Sequence, residues 1–204
     1  MSFRLPTYEY ESSLTERGFL CIAGTDEAGA GCWAGPVFAG AVILRGPIRD
    51  RLVRDSKTLS PSQQQRAAEL IRREALAWAV GFAAAGEIDE INIARASELA
   101  MMRAIRGLSP APDFVLADFR ELGDLGIPNL GIVGGDALSV SIAAASIIAK
   151  TERDSLLESL DLRYPGYGFA SHKGYGTKAH AEALRHLGPC PEHRLSYRPV
   201  MACR

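Results

Sequence analysis

Residues 19–29 read FLCIAGTDEAG and residues 35–44 read GPVFAGAVIL. The first is a short apolar run that ends directly on two carboxylates, Asp26 and Glu27, and a glycine-rich turn. The second is rich in valine and glycine and long enough for a buried strand. The short connection between them predicts a hairpin with the acids at the end of its first strand. Further along, SPSQQQRAAELIRREALAWAV (60–80) places Ser60 before Pro61 and sets Ala67, Leu70 and Ile71 on one face, which predicts a helix. VGFAAAG (80–86) then reads as a third strand. INIARASELAMMRAI (91–105) predicts a helix with Ile91, Ala94, Leu99, Met102 and Ile105 as its core stripe.

After a proline-rich break, FVLAD is a short buried strand ending on Asp118, and a polar loop leads to GIVGGD with Asp136. SVSIAAASIIAKTERDSLLESL (139–160) is a small-residue helix whose Ala143, Ala144, Ile147 and Ile148 let its axis approach a sheet closely. Trp78 falls on the first of these helices and reads as core. Alternating strands and helices indicate an α/β domain with a mixed sheet.

The chain has 204 residues, 47% of them apolar, which excludes a disordered protein and suits one domain over 1–204. Residues 1–18 form a polar N-terminal extension, and about 160–204 a C-terminal extension rich in Gly, Tyr and basic groups. With 23 Lys and Arg against 24 Asp and Glu, a wholly basic nucleic-acid coat is excluded, but a local basic face is not. Residues 155–204 carry more Lys and Arg than Asp and Glu, so that face is expected there. No apolar run reaches the roughly 18 residues of a membrane helix, and the opening MSFRLPTYEYESSL lacks the character of a signal peptide. A soluble, cytoplasmic protein without membrane contact is expected. Cys21, Cys32, Cys190 and Cys203 form no C-x-x-C pair and read as reduced thiols.

Four acids end apolar runs or sit in glycine-flanked turns: Asp26, Glu27, Asp118 and Asp136. Strand ends gather into clefts. Carboxylates crowded together need a strong counter-charge, and hard Mg²⁺ or Mn²⁺ prefers oxygen ligands and keeps water. Two such ions about 3.5–4 Å apart stabilise the attacking and leaving oxygens of a phosphodiester displacement. A single acid at a strand end is more often a solvated cap, and spacing alone does not gather these four.

The blocks TDEAGAGCWAGPV, DSKTLS, GGDALSVSIAAASIIAKTERD and YPGYGFASHKGYGT, in that order, closely resemble the type 2 ribonuclease H family, ribonuclease HII. The resemblance covers roughly residues 19–200. It implies a ribonuclease H-like fold, a mixed β-sheet flanked by helices with a C-terminal helical extension that binds substrate. It also implies hydrolysis of the RNA strand of RNA–DNA hybrids, including 5′ to a single ribonucleotide embedded in DNA, and hence a role in ribonucleotide repair. Carried over by position, Asp26, Glu27, Asp118 and Asp136 are the catalytic and metal-binding acids, holding two Mg²⁺ or Mn²⁺ ions with substrate bound. The products implied are a 5′-phosphate and a 3′-hydroxyl. Acting as a monomer on hybrids and ribonucleotide-containing DNA is also expected.

Only the 2′-hydroxyl marks the ribose, and a backbone freed of side chains can approach it, so Gly29, Ala30 and Gly31 are candidate substrate contacts. Tyr175 matches the family tyrosine that stacks on the deoxyribose after the ribonucleotide, with a core tyrosine as the alternative. Lys57 and Lys173 are candidate phosphate contacts, although a lone lysine is commonly a solvated charge. Trp33 either flanks the substrate groove or packs. Asp154 lies about five helical turns from Asp136 on a regular helix and reads as structural. His172, His180, His186 and His193 show no pairing at metal-ligand spacing, and Cys190 with His193 lacks further ligands, so zinc is not expected. The family usually has arginine where this chain has Ala30, and lysines where it has Gly134 and Leu138. Fewer phosphate contacts imply weaker duplex binding. A catalytically weak or inactive hybrid-binding module is the alternative reading. A nucleotide-phosphate loop is disfavoured, because two acids precede the glycines and no G-K-[ST] follows.

Overall fold

Strands β1 (Ile22–Ala28) and β2 (Val37–Leu44) owe their small, apolar composition to cover on both faces: β2 is buried along its whole length and β1 over its first five residues. In the computed structural model, which describes residues 5–123 and 125–203, they pair antiparallel as the expected hairpin. β3 (Ala75–Ala83) adds antiparallel to β2, β4 (Phe114–Asp118) lies parallel to β1, and β5 (Asn129–Ile132) lies parallel to β4. The sheet is mixed, in the order β3-β2-β1-β4-β5.

One face carries helix α3 (Ala85–Arg106), and the other carries α2 (Pro61–Glu74) and α4 (Val140–Arg163). A polar N-terminal helix α1 (Glu9–Glu16) precedes the sheet, and α5 (Phe169–His172), α6 (Lys178–Leu187) and α7 (Arg198–Met201) follow it. α4 sits very close to the strands. A Cβ on Gly24 would fall 2.2 Å from the Ser141 carbonyl carbon, and one on Gly40 would fall 2.3 Å from the Ala145 carbonyl oxygen. Strand glycines opposite Ser141 and Ala145 bring the two backbones together, the close approach that the small-residue pattern predicted. The fully buried Ile142, Ile147 and Ile148 then seal the contact, each contributing about 1.5–3 kcal/mol.

Two expectations are corrected. The helix that starts at Ser60 ends at Glu74 instead of continuing to residue 80, and the strand begins at Ala75. The start itself is as expected, with Pro61 opening the helix inside a capping box formed by Ser60 and Gln63. Alanine favours helix, but Ala77, Gly81 and Ala83 face the α3 core while Trp78 and Phe82 face the other way, a period of two that pairing with β2 rewards. Trp78 is therefore on a strand and 38% exposed, with the Arg72 guanidinium 5.2 Å from its ring. In α3, the core face is Ala96, Ala100, Met101, Ala104 and Ile105, while Ala94 is exposed and Met102 only partly buried. The helix breaks at Asn92 (φ 65°), whose side chain accepts from the N–H groups of Ala94 and Arg95 and restarts it as an N-cap would. That break resets the phase of the stripe.

Candidate active site

Because β1 and β4 run parallel, their C-terminal ends lie at the same sheet edge, and Thr25 pairs with Ala117 in register. Asp26 and Glu27 on β1 therefore stand beside Asp118 on β4. Asp136 arrives from a separate turn, residues 135–137, reached through Gly134 in a left-handed conformation (φ 67°). Asp118 fixes that turn by accepting a hydrogen bond from the Gly135 N–H at 2.7 Å.

The turn is also clamped from behind. Glu11 of α1, fully buried, accepts from the Ser139 hydroxyl at 2.6 Å and from the Ser141 N–H at 3.0 Å. Thr7 bridges to Ser139 alongside it. The polar N-terminal extension thus contributes directly to the placement of Asp136. Nothing in residues 1–18 read alone marks Glu11 for this, because its partners lie 128 and 130 positions away.

Electrostatics agree with the crowding. Burial raises the Asp26 carboxyl well above its usual range, and the neighbouring charges of Glu27, Asp118 and Asp136 raise it further, against a hydrogen bond from Ser146. Glu27 is raised by burial and by Asp118. Asp136 is raised mainly by burial, with Lys57 opposing. Lys57 Nζ lies 3.7 Å from Asp136 Oδ2, on a side chain 81% exposed, so this pair is easily separated. Asp55 caps the short helical turn that carries Lys57, and Ser56 of that turn meets Ser146 at 3.1 Å, tying DSKTL to the acids.

Gly29 (φ 90°) begins the loop after β1, and a Cβ there would strike the Arg153 side chain at 2.0 Å. Two buried arginines hold this region from inside. Arg194 donates to the carbonyls of Gly29 (2.7 Å), Ala30 (2.8 Å) and Gly35 (3.0 Å). Arg153 donates to those of Pro36 (3.0 Å), Ala34 (3.2 Å) and Lys173 (2.9 Å). Gly31 has open space around it. The block YPGYGFASHKGYGT is stitched to TDEAGAGCWAGPV, since the Trp33 N–H donates to the Gly174 carbonyl at 2.8 Å and the Trp33 ring packs under Gly176. Tyr175 projects from this junction, 46% exposed.

Trp33 is thus a packed residue that supports the tyrosine loop. Lys173 pairs with Glu158 at 2.6 Å and has only 18% of its side chain exposed, so its ammonium is engaged within the protein. Asp154 forms an ion pair with Lys150 on the same helix. Sequence reasoning missed both arginines. The available signal for Arg153 was its position four residues from Ala149 and from Leu157, on the buried stripe of α4. It also missed that His172, His180, His193 and Cys190 converge.

Among the described residues, no three carboxylate, imidazole or thiol groups close around one point as a single-ion cage. The four acids offer oxygen donors only, near enough for the charges of Glu27, Asp118 and Asp136 to raise the Asp26 carboxyl. A cleft of about 380 Å³ opens beside Glu27, Ala30 and Asp118, rimmed by Phe119 and Arg120. Residues 23–200 match the family model for Ribonuclease HII. The chain belongs to the ribonuclease HII family.

Its relatives include the Ribonuclease HII of Halorhodospira halophila, 55% identical over 188 residues, a match covering 90% of this chain and 95% of that protein. The Ribonuclease HII of Anaeromyxobacter sp. (strain Fw109-5) is 52% identical over 191 residues, covering 94% of this chain but only 61% of that protein. The chain therefore spans under two thirds of one relative and nearly all of another. In solved structures, the PCNA:RNase HII complex from Archaeoglobus fulgidus aligns with a TM-score of 0.74 and 26% identity, over 88% of this chain and 96% of that one. The ribonuclease H-like fold expected from the sequence blocks is the fold observed. Membership in the ribonuclease HII family makes the chain a ribonuclease H enzyme. Among the described residues no helix is long and apolar enough to cross a membrane.

Proposed function

We propose that this ribonuclease hydrolyses the RNA strand of RNA–DNA hybrids and cuts 5′ to single ribonucleotides in duplex DNA, using two divalent ions held by Asp26, Glu27, Asp118 and Asp136. The observation that carries this reading is the meeting of these four acids at one sheet edge, three of them with carboxyls raised by burial. The donor set fits the ions: hard oxygen ligands only, with excess negative charge that one exposed lysine only partly offsets. When bound, Mg²⁺ or Mn²⁺ would polarise the phosphate and favour ionisation of a water.

The protein's own groups orient these ligands. Asp26 Oδ1 accepts from the Glu27 N–H at 2.7 Å and Asp118 Oδ1 from the Gly135 N–H at 2.7 Å, so both carboxyls are held by the backbone around them. Arg194 occupies the Gly29 and Ala30 carbonyls from inside, so the N–H groups of the loop are what it offers to a 2′-hydroxyl. Tyr175 stands next to the loop to stack on the following deoxyribose. Phe119, 61% exposed with the Arg120 guanidinium 5.4 Å from its ring, presents a stacking and phosphate surface beside the acids.

The test is a duplex DNA carrying one ribonucleotide, incubated with Mg²⁺ or Mn²⁺ and mapped for cut position and end groups. Cleavage 5′ to the ribonucleotide with a 3′-hydroxyl and a 5′-phosphate is expected. Binding without cleavage in either metal would instead leave a hybrid-binding module. A second measurement concerns Ala30. Ala30→Arg should add about one phosphate contact, tightening duplex binding and steepening the salt dependence of log K by about one unit. Affinity that is unchanged or weaker across several salt concentrations rejects the idea that the missing guanidinium limits binding.

A further inference from the structure

Tyr175 reads the sugar only if its loop is held in place, and the loop's anchor can be traced atom by atom. The Tyr175 carbonyl is 2.9 Å from His180 Nδ1. A carbonyl can only accept, so Nδ1 carries the hydrogen and, in a neutral ring, Nε2 is bare. His180 Nε2 faces His193 Nε2 at 3.0 Å, so His193 must donate there and keep Nδ1 bare. His193 Nδ1 in turn accepts from the Cys190 N–H at 3.0 Å and lies 3.2 Å from the Cys190 thiol. The chain closes with one tautomer for each ring and no surplus proton.

His172 obeys the same logic. Its Nε2 donates to the Tyr167 carbonyl at 2.8 Å, its Nδ1 accepts from the Gly174 N–H at 3.2 Å, and its ring stacks on His180 at 4.3 Å. Both His180 and His193 are buried, packed by Phe169, with Tyr167 against His193 and Trp33 against His180. The titratable and charged neighbours are Cys190, Tyr167, Tyr175, His172, Glu192 and Arg194, and the last is spent on the Gly29, Ala30 and Gly35 carbonyls.

We propose that Cys190, His193 and His180 form a neutral hydrogen-bonded relay that positions Tyr175 and so sets the preference for a deoxyribose after the cut ribonucleotide. The inference rests on the sugar-reading role proposed for Tyr175 above. His180 and His193 are positioning residues; neither touches substrate. A proton added to His180 sets two imidazole N–H groups face to face at 3.0 Å, and one added to His193 sets its Nδ1–H against the Cys190 N–H at 3.0 Å; either breaks the relay. Burial is the main cause that lowers both imidazoles, His193 to about 4, which keeps the relay neutral at ordinary pH.

The readout is the ratio of kcat/KM on a single-ribonucleotide duplex to kcat/KM on a uniform RNA–DNA hybrid, because protonation of the carboxylates affects both substrates and cancels. Tyr175→Ala and His193→Phe should each lower the ratio about tenfold, and the double variant no further than either single one. His193→Gln, which keeps a donor toward His180 and cannot titrate in this range, should restore much of the ratio and flatten its decline at acid pH. Nitrogen-15 spectra of histidine-labelled protein should show hydrogen on His180 Nδ1 and His193 Nε2. A ratio moved by Tyr175→Ala but not by His193→Phe, additive losses in the double variant, or the opposite tautomers would overturn the relay alone. A ratio untouched by Tyr175→Ala would overturn the sugar-reading role, and the relay's purpose with it.

Discussion

Asp26→Asn is expected to abolish cleavage while making the metal-free protein more stable. The two effects have one cause. Asp26 is buried beside Glu27, Asp118 and Asp136, and its carboxyl titrates well above the usual range. In the unfolded chain the same group ionises near pH 4. Between those values the native state binds more protons than the unfolded state, so stability is highest in acid and falls as pH rises through the raised native value. Above the ordinary carboxyl range the metal-free fold therefore bears the cost of either ionising a buried carboxyl beside other acids or holding a proton on it, a cost that asparagine removes at almost constant volume.

Melting temperature without metal should rise, by about 2–4 °C per kcal/mol relieved for a chain of this length. Mg²⁺ or Mn²⁺ should raise that of the native sequence by mass action and that of the variant much less. Cleavage should fall by at least about 10²–10³-fold, the scale for losing one preorganised charge-stabilising group. Scanning calorimetry with and without metal, beside the ribonucleotide cleavage assay, checks both halves. A variant that melts lower than the native protein in chelator, or one that still cuts, refutes the account.

What the sequence disclosed, and what it did not, follows the range of the interactions. The ends of β1 and β4 were legible because apolar runs ending on Asp26 and Asp118 obey a local rule, and α4 because its alanines and isoleucines repeat at helical spacing. The α2–β3 boundary was not, since alanines at 75, 77 and 79 suit either state and only pairing with β2 decides between them. The Asn92 break escaped because a left-handed residue inside a helix leaves no periodic trace. The four acids were collected by resemblance, not by spacing. Glu11, Arg153 and Arg194 stayed invisible for one reason: each is defined by partners on distant elements, and a buried polar side chain looks like a surface one until those partners arrive. The histidine relay joins groups only 3 to 13 positions apart, but the turns that bring them together carry no periodic signal.

Arg194 makes that last point measurable. Its guanidinium is fully buried and, among the described residues, has no carboxylate partner, so its donors are satisfied by the carbonyls of Gly29, Ala30 and Gly35, with Tyr197 Oη at 3.0 Å. Arg194→Lys keeps the charge but replaces a planar fork of five donors with a point charge bearing three, which cannot span carbonyls on both sides of the loop. Each buried acceptor left unpaired costs about 1–3 kcal/mol. With two or three affected, a loss of roughly 3 kcal/mol or more is expected, read as a drop of about 6–12 °C in melting temperature. The kinetic loss should be larger than the stability loss requires. Freed from Arg194, the Gly29–Ala30 carbonyls can turn outward, and a misplacement near 1 Å at a reacting centre costs about 10²-fold in rate. Arg153→Lys offers the control, because its acceptors are the carbonyls of Ala34, Pro36 and Lys173, none of them the Gly29 or Ala30 carbonyl. It should destabilise comparably yet cut faster than Arg194→Lys at a temperature where both variants are folded. Equal cleavage rates there would mean that Arg194 supports the fold in general and not the 2′-hydroxyl-reading loop in particular.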